Sequence, residues 1–147
     1  MSNTTNPEAD LSVQLEKANP AVGLQTAKAV YSFAADGGAV STIVPKRTFS
    51  LPDNAIIVGG TINSTTACTS GGAATVAVGT SAGSSTTAIL GATAVASLSA
   101  DARINAVPVF ATPVKLTAAG NITVTIAAAA LTAGVVEITL FYFVANA

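Results

Sequence analysis

The side chains that could carry out acid–base chemistry are few and widely spaced along the chain. There are seven Asp and Glu residues and no His, so general acid–base catalysis would depend on a pair of carboxylates. Glycoside hydrolysis needs two carboxylates at a defined separation. The two acids nearest in sequence, Glu8 and Asp10, fall in an N-terminal segment where no pocket is predicted, and Asp101 is expected to pair with Arg103. The spacing of the acids therefore predicts no catalytic pair.

Nucleophilic chemistry is equally poorly supported. Cys68 is the single cysteine, which excludes an intrachain disulfide, and its neighbours Thr66, Ala67, Thr69 and Ser70 supply no base to form a thiolate. Ser and Thr are abundant, but without His a hydroxyl nucleophile would need Lys or a metal. We predict that Cys68 is a small buried hydrophobe in a strand. We also predict that the protein is not an enzyme and has no catalytic residue, metal site or cofactor.

The charge balance argues against two classes of partner. Six Lys and Arg residues and a net charge of −1 give no electrostatic footprint for nucleic acid. No apolar run reaches the ~18 residues needed to span a bilayer. We therefore expect neither a nucleic-acid nor a membrane partner. One basic spot, Lys46 and Arg47 beside Pro45, is either a solvated strand end or a contact to an acidic partner.

The elements that would position these side chains divide into an arm and a body, because the composition changes near residue 28. Residues 1–27 hold two prolines, several charged residues and few strand formers. Isolated helices as short as the pattern over residues 11–17 allows are marginal in water. We predict an N-terminal arm over residues 1–27, extended or partly helical, and a single β-sandwich domain over residues 28–147. The arm's candidate contacts with another surface are Leu11, Val13 and Leu15.

The body consists of short strand patterns separated by turn signals about ten residues apart. Two of these signals, Asp36–Gly38 and Pro52–Asn54, each contain an acid that fits turn geometry. Because no amphipathic helix of useful length separates the strands, the pattern predicts an all-β fold, either an antiparallel β-sandwich or a jelly-roll-like barrel. Gly59–Gly60 predicts a bulge or a sharp bend in the strand that begins at Ala55.

Three segments of the body are less regular. Ala92–Ser99 fits a short helix as well as a strand. Val107–Phe110 predicts an edge strand, because Pro108 cannot donate to a sheet ladder. Ala127–Leu131 fits a helical turn that the following Thr-Ala-Gly would end.

The last strand pattern, Val135–Val144, has two apolar faces near its end. Five residues form one face and four form the other, which includes Phe141 and Phe143. A strand that is apolar on both sides is covered on both, either as a central strand or by another subunit. We therefore take Phe141 and Phe143 as candidate contacts with another protein or a neighbouring copy.

The composition also predicts self-association. Charged residues make up 9% of the chain, whereas a soluble domain typically carries about 25%. Burying Ala yields little free energy compared with Leu or Phe, so a monomer built on so much Ala and Thr would be only modestly stable. We expect much of the surface to be buried between chains, although Thr, Ser and Asn could also keep a monomer in solution.

Five turn and strand segments of the body form a recognisable set: Asp36–Ala39, Leu51–Ile57, Thr69–Gly79, Val114–Gly120 and Ala129–Gly134. They resemble small structural proteins of tailed bacteriophages, namely virion decoration (cement) and head-fibre proteins. The resemblance spans about residues 30–144. It implies a β-sandwich, often a trimer at three-fold positions, that bridges neighbouring major capsid subunits on the outside of the head. It carries no catalytic residues.

The function expected from this resemblance is that of a virion structural protein on the capsid surface, assembled in the host cytoplasm. Its partners would be the major capsid protein and itself, as a homotrimer. The arm would clamp the capsid or an adjacent copy, while the sandwich would form the trimer. Two other classes remain open. One is a tail or fibre component that binds a host receptor or glycan, for which most aromatic side chains look core-facing. The other is a small-molecule binding barrel.

Overall fold

The structure, a computed structural model, describes residues 23–82 and 85–145, and nearly all of them belong to strands and the turns between them. The first of two sheets contains six strands: β1 (Gln25–Ser32), β3 (Arg47–Thr48), β5 (Ala55–Ser70), β8 (Ala102–Asn105), β9 (Val114–Lys115) and β11 (Leu131–Val144). The second sheet contains five: β2 (Ser41–Ile43), β4 (Ser50–Leu51), β6 (Thr75–Thr80), β7 (Ser85–Ala94) and β10 (Gly120–Ala127). A four-residue helix α1 (Phe33–Asp36) and a 3₁₀ turn (Val95–Ser97) accompany them.

All strand pairs are antiparallel. The first sheet runs β3–β1–β11–β5–β8 with β9 also beside β5, and the second runs β2–β10–β6–β7 with β4 also beside β10. The two sheets face each other without closing into a barrel. The antiparallel sandwich is therefore confirmed, and the barrel alternative is wrong.

The core lies between the sheets and is filled from alternate positions of the long strands. In β11, every second residue from Val136 to Tyr142 is buried, and in β10 Ile122, Val124 and Ile126 are buried. Alanines contribute much of the remaining inner surface. Of the two alternatives for the last strand, the central position is present, because β1 and β5 pair with the two edges of β11.

β5 and β11 form the longest ladder, and a bulge bends it. Gly59 pairs with Phe141 and Ile57 with Tyr142, so Val58 is an extra residue on β5. The predicted irregularity is thus present, but it lies at Val58 and β5 continues through Gly59 and Gly60 to Ser70. Position 60 requires glycine because β11 leaves no room for a side chain, which would collide with the Thr139 carbonyl and the Leu140 side chain.

The less regular segments differ from their sequence patterns. Val107–Phe110 is not a strand but a loop with one isolated bridge from Val109 to Thr112, since prolines on both sides interrupt a ladder. Ala127–Leu131 is not a helical turn. The Ala129 N–H donates to the Ala127 carbonyl around Ala128, whose φ of 70° makes a tight γ-turn. Ala92–Ser99 contains both alternatives, the end of β7 and then the 3₁₀ turn.

The predicted arm has only its last residues in the described ranges. β1 begins at Gln25, so residues 25–27 belong to the first sheet and not to the arm. Leu11, Val13 and Leu15 lie outside the described residues. Within the described ranges, no helix has the length and apolar character needed to cross a membrane.

Candidate interaction surfaces

The outward side chains of the first sheet form one continuous surface, which we call the basic face. The strand registers place Arg47 beside Val30, Val30 beside Glu137, and Asn63 between Glu137 and Arg103. This row crosses the sheet from edge to edge, with an arginine at each end. The basic face consists of Thr26, Lys28, Val30, Arg47, Thr61, Asn63, Arg103, Asn105, Glu137, Thr139, Phe141 and Phe143.

Positive charge dominates this face. Glu137 is its single acid and lies 3.9 Å from the Lys28 ammonium. The Lys28 side chain is more than half exposed, so the pair adds little stability. Among the described residues, no carboxylate lies within 4.0 Å of the Arg47 or Arg103 guanidinium. The expected ion pair between Asp101 and Arg103 is therefore wrong. Both arginines are available to an acidic partner.

Two aromatic rings lie at one end of the basic face. Phe141 lies opposite Thr26 on one side and Gly59 on the other, and a side chain on Gly59 would make an ordinary contact with its ring. Phe141 is 38% exposed, so residues 23–82 and 85–145 leave this part of the outer face partly open. Phe143 lies opposite Ile56 and is half-buried. The fold thus brings three of the sequence-predicted site residues, Arg47, Phe141 and Phe143, to one face.

Lys46 has a different environment. It precedes β3, its side chain is exposed, and its backbone N–H donates to Asp36 Oδ1 at 2.8 Å. The other oxygen of Asp36 accepts the Ser32 N–H at 2.9 Å. The basic dipeptide is thus anchored through its backbone to α1, which leaves its two side chains free for contacts.

The outward side of the second sheet is chemically different, and we call it the charge-free face. None of its five strands contains a charged residue. Thr42 and Thr125 share a hydrogen bond between their hydroxyl groups at 2.9 Å, whereas the buried Thr123 hydroxyl has no partner among the described residues. Of the outward positions in the central part of this sheet, Ala77, Gly79 and Thr123 are buried within the chain, and Thr42, Thr75 and Thr125 are exposed or half-buried.

A third exposed feature is the loop between β8 and β9, which sequence reasoning predicted as an edge strand. The Ala106 N–H donates to the Gly60 carbonyl and the Val107 N–H to the Ile89 carbonyl, so the loop is fixed to both sheets. Phe110 is at its tip and 75% exposed. Four of the five phenylalanines are at least about a third exposed, so the expectation that the aromatic side chains are mostly core-facing is wrong for them. The prolines at 108 and 113 were the signal for an exposed loop.

Two buried groups with reactive chemistry, the Cys68 thiol and the Tyr31 hydroxyl, have structural roles. Cys68 is 5% exposed, and burial raises the pKa of its thiol, which opposes thiolate formation. Tyr31 is fully buried and donates its hydroxyl to the Gly37 carbonyl at 2.6 Å, while burial chiefly raises its pKa to about 12. In the described ranges, no three His, Cys, Asp or Glu side chains lie close enough together to hold a metal ion.

Comparison with known proteins gives a fold and no sequence family. No protein-family model matches the chain, and no curated protein matches it. Chains in three solved capsid structures share its fold, and each alignment covers 84% of this chain. They come from the acid-stable capsid of Helicobacter pylori bacteriophage KHP30 (14% identity, 89% of that chain, TM-score 0.59), the capsid asymmetric unit of cyanophage Pam1 (17%, 86%, 0.61) and the capsid of Ralstonia phage GP4 (17%, 86%, 0.56). The described chain therefore has the sandwich fold of a chain found in phage capsids.

Proposed function

We propose that this protein is a non-enzymatic structural component of a phage virion, which binds the outside of the capsid and stabilises the shell between major capsid subunits as a homotrimer. The observation that carries the proposal is the shared fold with chains of three phage capsids. The alignments cover 86–89% of each matched chain, so the matched chains are similar in size to this one. The resemblance of the turn and strand segments to decoration and head-fibre proteins agrees with this assignment.

The two faces of the sandwich suit two different contacts. Copies that meet around a symmetry axis repeat every charge, and like charges brought together cost several kcal/mol, roughly. The charge-free face avoids this repulsion, so we assign self-association to it. The basic face, with Lys46 beside it, offers exposed cations and the rings of Phe141 and Phe143. We assign it, together with Leu11, Val13 and Leu15 of the arm, to contact with the shell.

The physical mechanism is ligand stabilisation of an assembly. A protein that binds the completed lattice, and not its dissociated subunits, stabilises the lattice by an amount set by its concentration relative to the dissociation constant. A trimer presents three copies of one contact, so weak individual contacts add up to tight attachment. No step of this mechanism needs a catalytic group.

The test combines solution mass with binding to shells. Full-length protein should scatter light as a species of three times the chain mass of 14.3 kDa. It should co-sediment with capsids assembled from the major capsid protein of the same phage and raise their melting temperature. Phe141→Asp should weaken co-sedimentation while leaving the trimer intact. Full-length protein that neither binds such capsids nor changes their melting would overturn the proposal.

A second candidate, a tail or fibre component that binds a host receptor or glycan, is favoured by one observation. Phe110 presents an exposed ring on a loop fixed to both sheets, and exposed aromatic rings can bind sugar faces through their apolar surface. A glycan array with full-length protein tests this candidate. Binding that is lost in Phe110→Ala and kept in Phe141→Ala would favour it over capsid attachment.

A further inference from the structure

The basic face combines charge and apolar surface in a way that suits a short acidic, apolar segment. Lys28, Arg47 and Arg103 outnumber its one acid, Glu137. Next to these charges, Phe141 is 38% exposed.

The chain carries a segment of the complementary chemistry just before β1. Residues 8–17 contain three acids and one lysine, a net charge of −2. Within them, Leu11, Val13 and Leu15 occupy alternate positions, and in an extended chain alternate side chains point to the same side. One side of such a segment would be apolar and its ends would be acidic. The apolar side is complementary to the aromatic rings of the basic face, and the acids are complementary to its arginines.

The point at which the described chain begins makes this segment a neighbour of the face. Gly23, next to the start of β1, has a φ of 98°, a turn conformation that glycine adopts readily. Thr26 pairs with Phe141, so the chain enters the first sheet at the aromatic end of the basic face. Residues 18–22 can span up to roughly 17 Å. Leu11 and Leu15 are four residues apart, as are Glu137 and Phe141 on β11. In extended chain both separations are about 13 Å, so the two segments match in length.

We propose that residues 8–17 dock on the basic face of their own chain, with the side formed by Leu11, Val13 and Leu15 against Phe141 and the acids toward the arginines. A tether of five residues gives the segment an effective concentration in the millimolar range. A weak intrinsic affinity is therefore enough to keep the segment bound to the face. This proposal concerns the free protein and is independent of the capsid function. Its consequence is that the arm and the sheet cover each other's apolar side chains in the free protein, so the arm must leave the sheet before these side chains can contact a shell.

The test uses tryptophan fluorescence in the full-length protein, because the chain contains no Trp. Phe141→Trp places a single reporter on the basic face, and Phe110→Trp places one on the β8–β9 loop as a control. Each reporter is combined with Leu11→Ser, Val13→Ser and Leu15→Ser together. The matched arm control changes the intervening positions, Ser12→Ala and Gln14→Ala. Acrylamide quenching measures the access of solvent to the ring.

Docking predicts a several-fold rise in the quenching constant of Phe141→Trp when the three apolar arm residues become Ser, with no rise in the matched control. The Phe110→Trp reporter should respond to neither. Asp10→Lys with Glu16→Lys should have the same effect as the triple variant. So should 1 M salt, at which charges are screened beyond about 3 Å.

Two results would overturn the proposal. One is equal quenching of Phe141→Trp in all arm variants, which would leave the basic face uncovered. The other is shielding that disappears on dilution of the protein, which would show that the arm of a second copy occupies the face. Both are distinguishable from a failure of the capsid proposal, because no capsid is present.

Discussion

Asp36 ties together β1 and the residue before β3 just beyond the last pair of their ladder, Val30 with Arg47. Its carboxylate accepts the N–H groups of Ser32 and Lys46 at 2.9 and 2.8 Å. Asp36→Asn would keep one acceptor and turn an NH₂ group toward a backbone donor, so we expect a loss of about 1–3 kcal/mol in the free energy of unfolding. Lys46→Ala is the matched control, because only its backbone makes the bond, and it should be nearly neutral. Denaturant unfolding of both variants measures the difference, and equal stabilities would contradict the role of Asp36.

Tyr31 makes the free energy of unfolding depend on pH in the alkaline range. Its pKa is raised to about 12 in the folded protein, mainly by burial, against about 10 in the unfolded chain. Below pH 10 both states keep the proton and the contribution is complete. As the pH rises from 10 through 12, the unfolded chain loses the proton first, so the free energy of unfolding falls, by on the order of 2 kcal/mol. In Tyr31→Phe this part of the fall should vanish, although the variant starts less stable because the Gly37 carbonyl loses its donor. Unfolding curves across this pH range measure both effects, and an unchanged pH dependence in the variant would contradict the assignment.

At the scale of elements, the β5–β11 ladder distinguishes two adjacent glycines. A side chain on Gly59 would make an ordinary contact, 3.7 Å from the Phe141 ring, whereas one on Gly60 would meet the Thr139 carbonyl and lie 2.8 Å from Leu140 Cδ2. We expect Gly60→Ala to destabilise the protein by about 2 kcal/mol or more, because backbone must move. Gly59→Ala should be neutral or slightly stabilising. Thermal unfolding of the two variants checks this, and comparable melting temperatures would show that the ladder is looser than described.

β10 and β11 were predictable from sequence because their alternation is clear. Their inward residues follow from period-two patterns, whereas β5 continues through the glycines at which the sequence predicted an interruption. Where the pattern was short, long-range contacts decided the structure. Val107–Phe110 has strand-forming residues, yet the Val107 N–H donates to Ile89 of the second sheet, while the preceding Ala106 N–H donates to Gly60 of the first. No local pattern carries that information.

The candidate surfaces were less predictable than the strands for the same reason. Arg47 and Arg103 are 56 positions apart in the sequence, and only the order of β3, β1, β11, β5 and β8 places them in one row. Phe141 could be assigned to the second face of its strand from sequence alone. Its exposure could not, because whether a face is covered depends on the sheet that packs there.

At the scale of the whole molecule, the two sheets divide the charge between them unequally. Strands of the first sheet carry Lys28, Arg47, Arg103, Lys115 and Glu137, and those of the second sheet carry none. Part of the difference arises within the chain, because Ala77, Gly79 and Thr123 on the outer side of the second sheet are already buried, where a charge would be costly. The remaining, exposed part agrees with the proposal that copies of the chain meet on the charge-free face.

Exposed threonines on the two faces provide a matched test of that assignment. Thr42 lies on the charge-free face and Thr61 on the basic face, both in strands and both exposed. Thr42→Lys would place a charge in each copy of the interface, and like charges there cost several kcal/mol, roughly. Each 1.4 kcal/mol raises the dissociation constant about tenfold. We therefore expect Thr42→Lys to sediment as a folded monomer at concentrations where Thr61→Lys remains a trimer. The same oligomeric state in both variants would remove self-association from the charge-free face, and dissociation of Thr61→Lys alone would move it to the basic face.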